Sequence, residues 1–179
     1  MSFRLKGERL CLRLLTPADG PTIAAYRNDP QVARYQGWDM PYTLDAAETL
    51  IRERSGRLPG DPGWAQVGIE ECGGGHLIGD LGLNTDGLRR QAELGFTLAG
   101  AAQGRGYAQE AARLLLAHAF GTLHLHRVHA SIDPRNEAAA RLLLRLDFRH
   151  EGTALESYWH RGVWTDDARY ALLEREWKL

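Results

Sequence analysis

The chain has 179 residues, enough for one domain, spanning 1–179, whose core needs neither disulfides nor metals. Apolar residues make up 44% and the formal net charge is −1, so the chain reads as globular and lacks the basic excess that nucleic-acid binding requires. Cys11 and Cys72 are too few and too distant in sequence for a disulfide framework or a zinc knuckle, and a reducing cytoplasm is the simplest setting. Met1 to Lys6 lacks the apolar run of a signal peptide, and no stretch approaches the roughly 20 apolar residues of a membrane span.

Leu10, Leu12 and Leu14 alternate with Arg9, Cys11 and Arg13, which predicts a half-buried strand. Thr16-Pro17-Ala18-Asp19 is a helix start, with a capping residue, proline at the first helical position and an acid to complete the box. That helix is expected to run to Asn28. Gln31 to Tyr42 reads as irregular and aromatic, and a second helix is expected from Thr43 or Asp45 through Ile51 to Arg54. Ser55 to Gly63, rich in glycine and proline, reads as a loop.

Three short strand-like runs follow: Trp64–Glu70, His76–Leu83 and Ala92–Leu98, joined by Cys72-Gly73-Gly74-Gly75 and Asn84-Thr85-Asp86-Gly87. Tight turns between them imply an antiparallel meander. Tyr107 to Gly121 is a helix with Ala108, Ala111, Ala112, Leu115 and Ala119 on one face. Arg127 to Ile132 is a strand, and Asn136 caps a helix reaching Arg145. Phe148–Ala154 and Val163–Leu173 are the last strands, with Glu156-Ser157-Tyr158-Trp159 read as their hairpin.

The chemistry concentrates where the strand Glu93-Leu94-Gly95-Phe96-Thr97-Leu98 runs into Gln103-Gly104-Arg105-Gly106-Tyr107-Ala108. A glycine-rich turn that opens a helix aims several N–H groups at one point, backed by the helix dipole, and this suits a pyrophosphate. A P-loop is excluded because no Gly-Lys-Ser/Thr follows. A dinucleotide fingerprint is excluded because Ala108-Gln109 stands where the third glycine is needed and the preceding strands read as antiparallel.

These residues resemble the GCN5-related N-acetyltransferase (GNAT) superfamily. Gln103-x-x-Gly106-x-Ala108 matches its acyl-CoA motif, Gln/Arg-x-x-Gly-x-Gly/Ala. His126-Arg127-Val128-His129-Ala130, Pro134-Arg135-Asn136 and Leu146-Asp147-Phe148 resemble later family segments. Trp164 to Tyr170, Glu176-Trp177, Glu8 to Arg13 with Thr16-Pro17, and Trp38 before Pro41-Tyr42-Thr43 are similar to the RimJ/RimL-like branch, which includes ribosomal-protein N-terminal acetyltransferases.

The resemblance implies an α/β (α+β) GNAT fold: a mixed, mostly antiparallel sheet with helices on both faces and splayed fourth and fifth strands. It implies acetyl-CoA as cosubstrate; no metal is expected, because no ligand set of the right type and spacing appears in the sequence. Phe96, Thr97 and Leu98 would pair with pantetheine, the segment Gln103, Gly104, Arg105, Gly106, Tyr107 and Ala108 would hold the pyrophosphate, and Asn136 would face the pantetheine arm. Ala139 stands where many relatives have serine, and Asp147 where glycine is usual.

Acetyl transfer to an amine needs a proton acceptor for the amine and a proton donor or dipole for the leaving thiolate. Glu93 is the candidate base, with a structural ion-pair role as the alternative. Ser157 and Tyr158 are candidate acids, or ordinary hairpin residues. Tyr35 and Trp38 are candidates for lining the acceptor pocket, or lid packing. His124, His126 and His129 invite zinc, but no cysteine or carboxylate cluster joins them, and His129 would point away from the other two. Neither cysteine is placed to carry an acyl group, so the expected reaction is direct attack in a ternary complex. The acceptor is a primary amine, on a protein N-terminus or a small molecule. Antibiotic or polyamine acetylation and a non-catalytic CoA-binding module are the rival readings. No nucleic-acid or membrane partner is expected, and a homodimer stays open.

Overall fold

The computed structural model describes residues 3–54 and 56–178. Ser55, where the long loop was expected to begin, lies outside them, as do residues 1, 2 and 179. Eight strands form one sheet: β1 (Arg4–Lys6), β2 (Leu10–Leu14), β3 (Gly63–Glu71), β4 (Leu77–Thr85), β5 (Gln91–Leu98), β6 (Arg127–Ile132), β7 (Arg149–His160) and β8 (Val163–Leu173). Five α-helices connect them: α1 (Gly20–Arg27), α2 (Pro30–Ala33), α3 (Leu44–Arg54), α4 (Tyr107–Gly121) and α5 (Glu137–Arg145). The strand order is β1-β2-β3-β4-β5-β6-β8-β7, with every pair antiparallel except β5–β6.

Period-two alternation sorts the central strands into two faces. Val67, Ile69, Leu81, Leu83, Ala92 and Leu94 are buried in the larger core with Ala111, Ala112, Leu115 and Ala119 of α4. On the other face, Leu15, Ile23, Tyr26, Tyr42, Ala47, Ile51 and Leu77 make a smaller core that seats α1 and α3. Helices therefore cover both faces. The parallel β5–β6 pair follows from its connection, because α4 returns the chain to the starting end of the sheet.

The short strand β1 was not expected and shifts the numbering, so the family's fourth and fifth strands are β5 and β6 here. The irregular stretch from Gln31 begins inside the short α2, capped by the Asp29 carboxylate accepting from Gln31 N. The Glu156–Trp159 segment is not the hairpin turn. It belongs to β7, across a register shift between Ala154 and Tyr158, and the turn lies at Arg161 and Gly162, both at positive φ. His124 and His126 precede β6 rather than sharing its face. Asn136 does cap α5, accepting from Ala139 N at 3.1 Å.

Cys11 and Cys72, distant in sequence, touch in space with their sulfurs 2.7 Å apart. Pairing of β2 with β3 in register Cys11↔Glu70 carries the chain on to Cys72, whose N–H donates to Arg9 O at 2.8 Å.

Candidate active site

The fork between β5 and β6 organises the site. Only Gln91, Ala92 and Glu93 pair with β6, opposite Arg127, Val128 and His129. Beyond them the strands diverge, while β5 stays paired with β4 as far as Leu98. The β6-facing backbone of β5 after Glu93 therefore has no strand partner, and its N–H and C=O groups need other ones.

One cleft lies along that free edge. It has a volume of about 780 Å³, and Phe96, Thr97, Leu98, Gln103, Gly104, Gly106, Tyr107, Ala108 and Asn136 all line it. Gly104 and Gly106 stand at φ 75° and 78°, where a side chain would strain the backbone. Gly106 is the N-cap of α4, so the first amides of that helix open on the cleft without intrahelical partners. Gln103 Nε2 donates to Leu98 O at 3.1 Å, which ties the turn to the end of β5. Arg105 is the exception. Its side chain does not line the cleft, and its carbonyl accepts from Arg9 Nη1 at 3.1 Å. A second brace comes from Tyr107 Oη, which donates to Glu71 Oε1 at 2.9 Å. Arg34 and Arg145 add positive charge around the opening, while Arg141, also at its rim, pairs with Glu137 at 3.0 Å. Unpaired amides, left-handed glycines and two arginines fit an anion followed by an extended amide arm.

A second cavity, about 680 Å³, lies on the opposite face of the sheet from α4. Glu93 and Thr97 point into it and Gly95 leaves backbone on its wall, as period-two alternation from the core residues Ala92 and Leu94 requires. Burial raises the Glu93 carboxyl above the ordinary carboxylate range, and the nearby Asp167 charge raises it further. Tyr35 and Trp38 both line this cavity. Trp38 Nε1 donates to Arg27 O at 3.1 Å, and the Arg27 guanidinium lies 4.4 Å from the Trp38 ring centroid. Tyr158 lines it as well, with its hydroxyl beside Gly37. Ser157 lies in neither cavity. Its hydroxyl donates to Ala154 O at 3.1 Å and closes the β7 irregularity.

Sequence reading missed the cavity's far wall: Arg54, Trp64, Gln66 and Asp80. Asp80 is 1% exposed and accepts from Tyr26 Oη, Gln66 Nε2 and Arg27 Nη2, the last at 3.1 Å. The available signal was polar residues alternating with apolar ones along β3 and β4. Tyr35, Gln36, Phe96 and Thr97 line both cavities, so the two spaces meet at β5. Among the described residues no group of three histidine, cysteine or acidic side chains is placed to hold a metal, and no helix is long and apolar enough to cross a membrane.

A forked sheet with an anion-binding turn on one side and a carboxylate-lined cavity on the other is the arrangement of a group-transfer enzyme with two substrates. Residues 9–149 match the family described as Acetyltransferase (GNAT) domain, and the chain belongs to that family. It is 30% identical to the uncharacterized N-acetyltransferase p20 of Bacillus licheniformis, over 95% of this chain and 96% of that one. It is 33% identical to the [ribosomal protein uS5]-alanine N-acetyltransferase of Escherichia coli, over 47% of this chain and 43% of that one. Among solved structures, spermidine N-acetyltransferase from Vibrio cholerae in complex with CoA and spermine matches with TM-score 0.80 and 25% identity, covering 95% and 98% of the two chains. The protein is an N-acetyltransferase of the GNAT family with RimJ-like relatives, and the family's donor is acetyl-CoA.

Proposed function

We propose that the chain acetylates the primary amine of a peptide N-terminus, with acetyl-CoA in the β5–β6 cleft and the acceptor in the Glu93 cavity. The observation that carries this reading is the place of Glu93, on the cavity face of β5 at the last residue before the strands part. The Gly104–Ala108 amides would take the pyrophosphate, and the free edge of β5 would pair with the pantetheine amides. Asn136 and Ala139 would flank the arm from α5.

The thioester carbonyl then lies near the fork, where unpaired β5 N–H groups are available to the oxygen as it gains charge. Glu93, directly or through one water, takes the proton of the acceptor ammonium. The free amine attacks the carbonyl carbon, the C–S bond breaks, and the thiolate receives a proton. Of the two acid candidates, Tyr158 is retained because its side chain lines the cavity. Ser157 is set aside because its hydroxyl serves the β7 backbone. Direct transfer is favoured over an acyl-cysteine route because neither cysteine lines either cavity.

The test is thiol release from acetyl-CoA in the presence of N-terminal peptides, polyamines and aminoglycosides. Peptide turnover with a matching mass gain on the N-terminal nitrogen supports the reading. Turnover of spermine or aminoglycosides with no peptide turned over would replace it with a small-molecule acceptor. A polyamine acceptor is the second reading, favoured by Glu93, Asp166 and Asp167 along one wall of the cavity.

A further inference from the structure

The acceptor cavity has two electrically different sides. Glu93 on β5 and Asp166 and Asp167 on β8 line one side, and Arg54, held against Gln66 of β3, lines the other. Arg27, the other arginine of the cavity, spends its charge on buried Asp80. Arg54 has no such partner: among the described residues no carboxylate lies in ion-pair range of it. Its side-chain hydrogen bond goes to a neutral acceptor, Gln66 Oε1, at 3.1 Å. Its guanidinium lies 5.3 Å from the Trp64 ring centroid. Trp64 in turn rests on Gly82, where an added Cβ would come within 2.9 Å of the ring. A half-buried cation is thus held on an aromatic platform, facing a cavity, next to a second cation. Burial and the Arg27 charge oppose its protonated form, and the charges of Asp80 and Glu53, neither in ion-pair range of it, offset them in part. A half-buried charge with no carboxylate in contact is costly, and an incoming carboxylate would lower that cost.

We propose that Arg54 binds a carboxylate of the acceptor, so that the preferred acceptor is a peptide N-terminus with Asp or Glu as its second or third residue. This rests on the N-terminal acetyltransferase reading above. Gln66 lies on β3 and Glu93 on β5, two strands apart, which places anion and amine roughly 10 Å from each other. That is too far for the carboxylate of a free α-amino acid. An extended chain advancing roughly 3.5 Å per residue reaches it with a side chain at the second or third position. A polyamine would set a second cation against Arg54.

The experiment compares kcat/KM for hexapeptides identical except for Glu, Ala or Lys at positions two and three, and for spermine, in the wild type and Arg54→Met. Thermal melts of both proteins confirm folding. The expected result is about a tenfold preference for Glu over Ala in the wild type, carried by KM, that collapses toward unity in Arg54→Met. Equal use of Glu and Ala peptides by the wild type, a preference that survives in Arg54→Met, or spermine as the best acceptor would each overturn the proposal. Failure of all amines with CoA binding intact is a different outcome: it would remove the acceptor reading itself and this proposal with it.

The sulfur pair at the far side of the sheet supports a second inference by an independent observation. Cys72 stands opposite Arg9 in the β2–β3 register, so it shares a face with Cys11, and the two sulfurs are 2.7 Å apart. Cys11 is buried and Cys72 is partly accessible. We infer that the two residues form a reversible disulfide when the protein meets a low-molecular-weight disulfide. The Cys72 thiolate attacks the small disulfide and expels one thiolate. Cys11 gives its proton to that thiolate as its sulfur attacks Cys72 Sγ and expels the second. Two S–H bonds are lost, one S–S bond forms, and the oxidant leaves as two thiols. The bond would close a loop between residues 61 apart and tie β2 to the turn beside Glu71, which braces Tyr107.

Full-length protein treated with oxidised glutathione is expected to lose about 2 Da with no adduct. Its Tm is expected to rise by roughly 5–10 °C, reversed by reductant and absent in Cys11→Ser and Cys72→Ser. A persistent glutathione adduct on Cys72, or two thiols that remain open to alkylation, would overturn it.

Discussion

Glu93 and His129 are opposite one another on the last rung that joins β5 to β6. That rung fixes the candidate base at the point where the sheet opens, with the donor cleft beginning three residues further along the same strand, at Phe96.

If Glu93 removes the acceptor proton, Glu93→Gln lowers turnover by roughly 10²–10⁴-fold at neutral pH while CoA affinity stays near normal. The pH profile carries the sign. The base must be ionised, and burial, followed by Asp167, raises its pKa. The acidic limb of kcat/KM therefore lies above the usual carboxylate range. Asp167→Asn removes one cause and should move that limb to lower pH. In Glu93→Gln the limb disappears and the deficit shrinks as pH rises. Near-normal turnover of Glu93→Gln at pH 7 would make Glu93 structural.

Gly106 caps α4 at φ 78° and lines the donor cleft. Gly106→Val places a β-branched side chain in a left-handed conformation at the proposed phosphate cradle. CoA affinity is expected to fall more than tenfold by calorimetry, with the ligand-induced rise in Tm lost. Undiminished affinity would remove the turn from the donor site.

Asp147 follows α5 at φ 64°, a position that favours glycine. Asp147→Gly should stabilise the fold by about 1 kcal/mol, seen as a Tm increase of roughly 2–4 °C with activity unchanged. A lower Tm would mean that the carboxylate contributes more than its backbone strain costs.

Asp80 neutralises Arg27 where both are buried. Asp80→Asn preserves shape and leaves the cation uncompensated, at a cost of about 3–5 kcal/mol. Chemical denaturation should show the midpoint shift with an unchanged slope, and a shift under 1 kcal/mol would contradict the pairing.

Much of this was legible in the amino-acid order. Alternation in β3 to β5, the Asn136 cap and the Gln103-to-Ala108 turn are local signals, and each element formed where its own chemistry placed it. Ser157 and Tyr158 were not separable in advance. They are adjacent in sequence, and the irregularity between Ala154 and Tyr158 decides which one reaches the cavity. Arg54 and the Cys11–Cys72 contact depend on pairings between residues far apart in the chain, which no local pattern reports. Arg54 meets Gln66 only because α3 lies over β3, and the sulfurs meet only through the β2–β3 register.

Tyr35, Gln36, Phe96 and Thr97 belong to the walls of both cavities. Two ligands that share walls cannot bind as strangers: whatever ordering the first imposes on those four side chains, the second need not impose again. Their affinities are then linked, and by thermodynamic reciprocity any factor by which the donor tightens the acceptor is the factor by which the acceptor tightens the donor.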